Sequence, residues 1–260
     1  MAWHFVKCDE HKVYDRNCLA TVVCQVKFHP ILKISSGHGL DSFQEFLRSE
    51  FPEYSEVKSQ IVNFVPPMNI EIQEQKQYQF RSSDGSRIIT LGVDFVAVEH
   101  SRHLCYHDFV DSVDMVIKSL VSVYKPISTT RLGLRYVNVV DKNRISSDIG
   151  KDLSWDDLVS EQFLLAPVGC VSLDDTAFYS EIDSIMENGR LTLRYGLVRE
   201  APNQEVKYHF DMDRYLMGGF DVETTVRLVK EFALDSYSLF RLMASKSLLD
   251  WMMAEEGGEC

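Results

Sequence analysis

Two ten-residue stretches constrain the fold more than anything else in the chain. Thr129 to Asn138 reads T-T-R-L-G-L-R-Y-V-N, and Arg190 to Arg199 reads R-L-T-L-R-Y-G-L-V-R. Successive side chains of a strand point to opposite faces. In the first stretch Leu132, Leu134 and Tyr136 therefore share one face, and Arg131, Gly133 and Arg135 share the other. In the second, Leu191, Leu193 and Tyr195 oppose Thr192, Arg194 and Gly196. Strands of this kind need a cover on their apolar side only. That is the pattern of an antiparallel sheet with helices packed on one face.

The rest of the chain supplies partners for these strands. Leu19–Phe28 is rich in β-branched residues and is closed by His29-Pro30. Asp41 or Ser42 is placed to cap a short helix running to Glu50, and Phe51-Pro52 stops it. Met68–Glu74 and Gln77–Ser82 read as strands. Asp84-Gly85 then marks a hairpin into Arg87–Leu91, followed by Phe95–Glu99. Tyr106–Tyr124 is the clearest helix, with Phe109, Val113, Val116, Ile117 and Leu120 at helical spacing. A strand at Thr130–Val140, an acidic helical piece at Ser154–Glu161 and a strand at Val168–Asp183 come next. Asn188-Gly189 makes a second hairpin turn, Glu205–Tyr215 a further strand, and residues 221–251 a terminal helical region that Asp235 can recap into two helices.

Corresponding elements recur at similar offsets. The opening strand at 19 is matched at 130, the hairpin turn at 84 by that at 188, and the helix at 106 by that at 221. The expected architecture is therefore α+β: two pseudo-repeated antiparallel-sheet-plus-helix units, residues 1–128 and 129–260, able to merge into one continuous curved sheet with helices on one face.

Charge and cysteine usage narrow the function. The chain carries 27 basic and 39 acidic residues, a net −12. The imbalance is 13 against 16 in residues 1–128 and 14 against 23 in residues 129–260. Such a surface disfavours non-specific nucleic-acid binding and suits a basic protein partner. The six cysteines form no C-x-x-C pair, and the opening residues have no apolar run behind a basic start. No apolar stretch is long enough to span a bilayer. The expectation is a cytoplasmic protein with reduced thiols.

Three groups of residues carry potential chemistry. The guanidinium groups of Arg131, Arg135, Arg194 and Arg199 would converge on a carboxylate or phosphate if their strands share a sheet; otherwise they pair with acids such as Glu181 and Asp183. His100, His103, Cys105, His107 and Asp108 include zinc-ligand types, but no second ligand cluster of matching spacing completes a site. Asp156-Asp157, Asp174-Asp175 and the alternating Asp211 and Asp213 are paired carboxylates of the kind acid–base chemistry uses, and also of the kind that decorates solvated surfaces. Nucleotide-binding glycine loops, a nucleophile elbow and H-E-x-x-H are absent from the sequence. No cofactor is expected.

Four phrases also resemble a single family: L-A-T-V-V-C-Q-V-K-F-H-P, Y-Q-F-R-S-S-D-G-S-R-I-I-T-L-G, R-L-G-L-R-Y-V-N and D-S-Y-S-L-F-R-L-M-A-S-K-S-L-L-D-W. In that order, over nearly the whole chain, they are similar to a sporadically distributed family of prokaryotic proteins of about this length. The chain departs from the family at His107-Asp108, where an aromatic is expected, and at Asp235–Ser238, which lacks the usual histidine. The resemblance implies a prokaryotic cytoplasmic protein with the patchy occurrence of mobile or antiviral-defence genes, and implies no reaction. The leading expectation is a non-enzymatic interaction protein, a subunit or regulator, with homo-oligomers allowed. The alternatives are a nucleotide- or anion-binding sensor or enzyme on the arginine face, and a nucleic-acid-associated protein.

Overall fold

The β-branched run Leu19–Phe28 forms β1, and its alternate residues Val22, Cys24, Val26 and Phe28 are buried. Its neighbour in the sheet is β6 (Thr129–Val140), paired antiparallel so that Val22 faces Tyr136, Cys24 faces Leu134 and Val26 faces Leu132. The two apolar faces coincide, which fixes the register, because a one-residue slip would turn every apolar side chain outward. The computed structural model describes residues 7–12, 14–65, 69–101, 105–164, 172–201 and 204–253, with the backbone alone for residues 59–65 and 69–74.

After β1 come two short helices, α1 (Leu32–Ser35) and α2 (Leu40–Leu47), then β2 (Glu53–Val65), β3 (Asn69–Arg81), β4 (Arg87–Leu91), β5 (Phe95–His100) and α3 (Tyr106–Tyr124). After β6 come α4 (Lys142–Ile149), α5 (Trp155–Leu158), β7 (Ser180–Met186), β8 (Gly189–Glu200), β9 (Glu205–Phe220), α6 (Thr225–Met243) and α7 (Lys246–Met252). The strands form one nine-stranded sheet in the order β2-β3-β4-β5-β1-β6-β9-β8-β7. Every pairing is antiparallel. The protein is thus α+β with a single large antiparallel sheet.

Burial of the apolar strand faces beneath the helices creates two adjoining cores. One joins Val22, Cys24, Phe80, Val98 and Leu132 to Phe109, Val116 and Leu120 of α3 and to Val229 and Phe232 of α6. The other joins Leu193, Tyr195, Phe210 and Met212 to Trp155, Leu239, Met243 and Trp251. Tyr136, near the middle of the sheet, packs against both.

Several expectations from the sequence shift in position. β2 has no counterpart among them: E-Y-S-E-V-K-S-Q carries no clean alternation, and pairing with β3 makes it a strand. Residues read as two strands between 69 and 82 form the continuous β3; Met68 lies outside the described residues. The α2 cap is Gly39 with φ 83, not Asp41 or Ser42, because the chain enters through a left-handed residue that glycine adopts without penalty. β7 begins only at Ser180; residues 165–171 lie outside the described residues, and Leu173–Asp175 is a 3₁₀ turn. β9 runs on past Tyr215 through Gly218-Gly219 to Phe220. Asp235 does not recap the terminal helix, since α6 runs through it. The break falls at Ala244-Ser245, where Ser245 accepts from the Leu248 N–H.

Candidate binding surfaces

Arg131, Arg135 and Arg194 do share one surface, the sheet face turned away from the apolar core. β6 and β8 both pair with β9, and β9 carries Asp211 and Asp213 between them. Each guanidinium meets a carboxylate there. Arg135 donates to Asp211 through Nε at 2.8 Å and Nη2 at 2.7 Å, a two-pronged contact of the strong type. Arg131 reaches Asp213 at 3.3 Å, and its guanidinium lies 5.1 Å from the Tyr215 ring centre. Arg194 reaches Glu181 at 2.6 Å and Asp211 at 3.7 Å, and Arg190 reaches Asp183 at 2.6 Å. Gly133 permits the crossing: a Cβ there would collide with the Arg131 guanidinium.

Charge on this face is therefore balanced within it. The bond to Asp211 raises the Arg135 pKa above its ordinary value. Burial raises that of Asp213, with Arg131 and Arg135 opposing. Arg199 stands apart, near the far end of β8, and donates to the Asp175 carbonyl. Lys207, opposite Val198, bridges Asp141 at 3.3 Å and Glu200 at 3.1 Å, so pairing continues along the sheet.

The histidine-rich connector does not converge. His100 ends β5 inside the core, 1% exposed, edge-on to Phe109; its Nε2 finds no partner, and burial lowers its pKa to about 4. His107 is exposed in the first turn of α3, and Cys105 is half-buried before it. His103 lies outside the described residues. No three His, Cys, Asp or Glu residues among the described residues could hold a metal ion. Of the acidic pairs, Asp157 serves a capping box with Ser154, whose N–H and hydroxyl both donate to it at 2.9 Å. That bonding holds the Asp157 pKa below the usual carboxylate value. Asp174 pairs with Lys142.

Sequence reasoning missed a deeply buried ion pair. Arg214 of β9 is 1% exposed on the apolar side of the sheet, 3.0 Å from Asp235 of α6 and 4.3 Å from the Phe232 ring centre. It also donates to the Asn188 and Arg190 carbonyls, which ties the β7–β8 turn to α6. Lys7, from the segment before β1, reaches Asp235 at 2.7 Å. The signal was present in the parity of β9, since Arg214 falls in step with Tyr208, Phe210 and Met212.

At the opposite end of the sheet, β2 and β3 pair along thirteen rungs, whereas β4 covers only Tyr78–Arg81 of β3. The rungs from Val57 to Val65 thus form a two-stranded ribbon beyond the body of the sheet, roughly 30 Å long at the usual rise per residue.

No family model matches the chain, and no curated protein matches it. Among solved structures it is similar to one titled as the di-domain ARO/CYC StfQ from the steffimycin biosynthetic pathway, at 6% identity over 90% of this chain and 97% of that one, with a TM-score of 0.18. A likeness at that score carries no argument about this protein. No helix among the described residues is long and apolar enough to cross a membrane.

Proposed function

We propose that the protein works by binding another protein, with the β2–β3 ribbon as its contact element. The observation that carries this reading is the overhang of β2 and β3 past β4. A two-stranded ribbon alone in water is marginally stable, and a strand at the edge of a sheet is a template for pairing with another chain. An extended segment of a partner that adds a strand to one edge binds through main-chain hydrogen bonds. The net charge of −12 favours a basic segment. The arginine face supports an anion sensor less well, because Arg131, Arg135 and Arg194 already have carboxylate partners.

The same reading takes the chain as a duplicated unit, residues 1–128 and 129–260, of a prokaryotic cytoplasmic protein in a defence or mobile-element system. Its support is the shared order of a strand, short helices, an antiparallel meander and a long helix in each half. Read inward from its own edge, the second half runs β7-β8-β9-β6, the same path as β2-β3-β4-β5-β1 with one strand fewer.

A photo-crosslinking residue at Gln60, introduced in the native host, tests the contact. A discrete adduct is expected there and not from the same group at Lys118, an exposed site on α3. Indistinguishable adducts from the two positions, or none from the ribbon, sink the reading.

A further inference from the structure

Residues 7–12 and 14–17 lie across the helices before the chain enters β1. Lys7 pairs with Asp235 at 2.7 Å, and the Cys8 N–H donates to Ser238 Oγ at 2.9 Å. The His11 ring stacks on Tyr106 at 4.1 Å and tilts over Tyr237 at 4.8 Å. The Tyr14 hydroxyl bonds to that of Tyr237 at 3.0 Å and accepts from Arg241 at 2.9 Å. Arg16 lies 5.9 Å from the Trp251 ring centre, and its N–H donates to the Met252 carbonyl. Asp235, Ser238 and Arg241 are spaced three apart, so one face of α6 carries much of the grip. An open groove between α3, α6 and the sheet is lined by Phe109, Tyr136, Met212 and Phe240 of the body and by His11 and Tyr14 of this segment.

Two features make the segment separable from the body. Among the described residues, only the Cys8 and Arg16 N–H groups bond its main chain to the rest of the protein, so no strand ladder holds it. The Cys18 carbonyl, by contrast, accepts from the Val139 N–H at 2.7 Å, which places the hinge at Asn17. The body also keeps partners of its own at each point that a side chain of the segment grips. Asp235 keeps Arg214 at 3.0 Å, and Ser238 donates to the Leu234 carbonyl at 2.7 Å. Arg241 bonds to Tyr237 as well as to Tyr14. Trp251 keeps Arg144 at 5.8 Å and donates to Asp148 at 3.0 Å. Losing one partner is expensive where the other is left buried and alone. Lys7 is the second cation on one buried carboxylate, so its departure strands no charge.

We propose that this segment is a strap that lifts as one unit about Asn17 while the rest of the fold stays intact, and so opens the groove between α3, α6 and the sheet. Burial of the apolar lining and of the His11 and Tyr14 rings draws the strap shut. The ion pair and hydrogen bonds along α6 set where it lands.

Native-state amide exchange on the whole chain at low urea, followed by NMR, tests this. The Cys8 and Arg16 amides should open with one shared free energy, well below that of Phe232 and Leu239 inside α6. That opening should depend little on urea, because a short segment exposes little surface. Lys7→Met should speed exchange at both amides by the same factor, roughly three- to fivefold, although Arg16 is nine residues away. A response at Cys8 alone would mean that the segment frays residue by residue, and overturns the proposal. Exchange at both amides with the free energy and urea slope of Phe232 and Leu239 would make the segment an integral part of the fold, and overturns it too. Peptide-resolved labelling with N-ethylmaleimide reads the groove itself. Cys18, which lines it and is 7% exposed, should react well before Cys24, which is 1% exposed in the core. Equal rates at the two thiols would show that the groove stays shut, against the proposal.

Discussion

Arg214 on β9 and Asp235 on α6 meet at 3.0 Å in the interior, each side chain 1% exposed. Removing one member of such a pair strands the other charge away from water, which typically costs about 3–5 kcal/mol. Arg214→Met should therefore destabilise the chain by about that amount, read as a lower urea midpoint. Arg214→Met combined with Asp235→Leu should recover much of the loss, because no unpaired charge then remains apart from Lys7, which reaches solvent. A double variant no better than the single one would show that the bonds from Arg214 to the Asn188 and Arg190 carbonyls matter more than the ion pair.

Arg135 and Asp211 form the best-aligned pair on the outer face, yet the arginine side chain is 50% exposed. Solvent screening limits its worth, and Arg135→Ala should cost about 1 kcal/mol. The loss should shrink in 1 M salt, where the screening length falls to about 3 Å. A salt-independent loss would mean that the contribution is packing over the strand and not charge.

His100 gives the fold a pH dependence. Its pKa in the folded protein is about 4, against 6.5 for a free imidazole, because burial disfavours the charged ring. Between those values the unfolded chain binds the extra proton. Stability is complete above about pH 6.5 and is lost as pH falls towards 4, by at most about 3 kcal/mol from this residue. His100→Phe keeps an aromatic against Phe109 and should flatten the difference in urea midpoint between pH 7.5 and pH 5. An unchanged pH slope would remove His100 from the account.

Gly189 opens β8 with φ 93, and a Cβ there would press on the Tyr215 backbone carbonyl. Gly189→Ala meets both obstacles and should cost about 2 kcal/mol or more, with faster amide exchange in β7 as the hairpin loosens. Protection in β7 equal to that of the parent chain would refute the mechanism.

The β2–β3 ribbon should be separable from the rest. Replacing residues 58–76 with a two-residue turn leaves the Tyr78–Arg81 pairing with β4 and, among the described side chains, every core residue in place. The melting temperature should change by only a few degrees. A collapse in stability would show that the ribbon packs on the body and is not an independent contact element.

Local chemistry was enough to read β1, α3, β6 and β8, and the turns at Asp84-Gly85 and Asn188-Gly189. In each, period, turn residue and burial agree, so a short window carries the answer. The grouping of Arg131, Arg135 and Arg194 on one face was also legible, because strand parity sets it. Their neutralisation was not. It depends on β9 lying between β6 and β8, which brings Asp211 and Asp213 within reach across a separation in sequence of about eighty residues. β2 was invisible for the same reason, since only its pairing with β3 makes it a strand.

By itself, then, the sequence determined which segments are strands and helices wherever periodicity is strong, and which side of each strand is apolar. The tertiary structure decided the order of the strands, the burial of Arg214 against Asp235, and the lie of the leading segment across α6. The division has a physical cause. Periodicity and turn chemistry act over a few residues, whereas ion pairing, packing gaps and unmet hydrogen bonds depend on which distant segments the closed fold brings together.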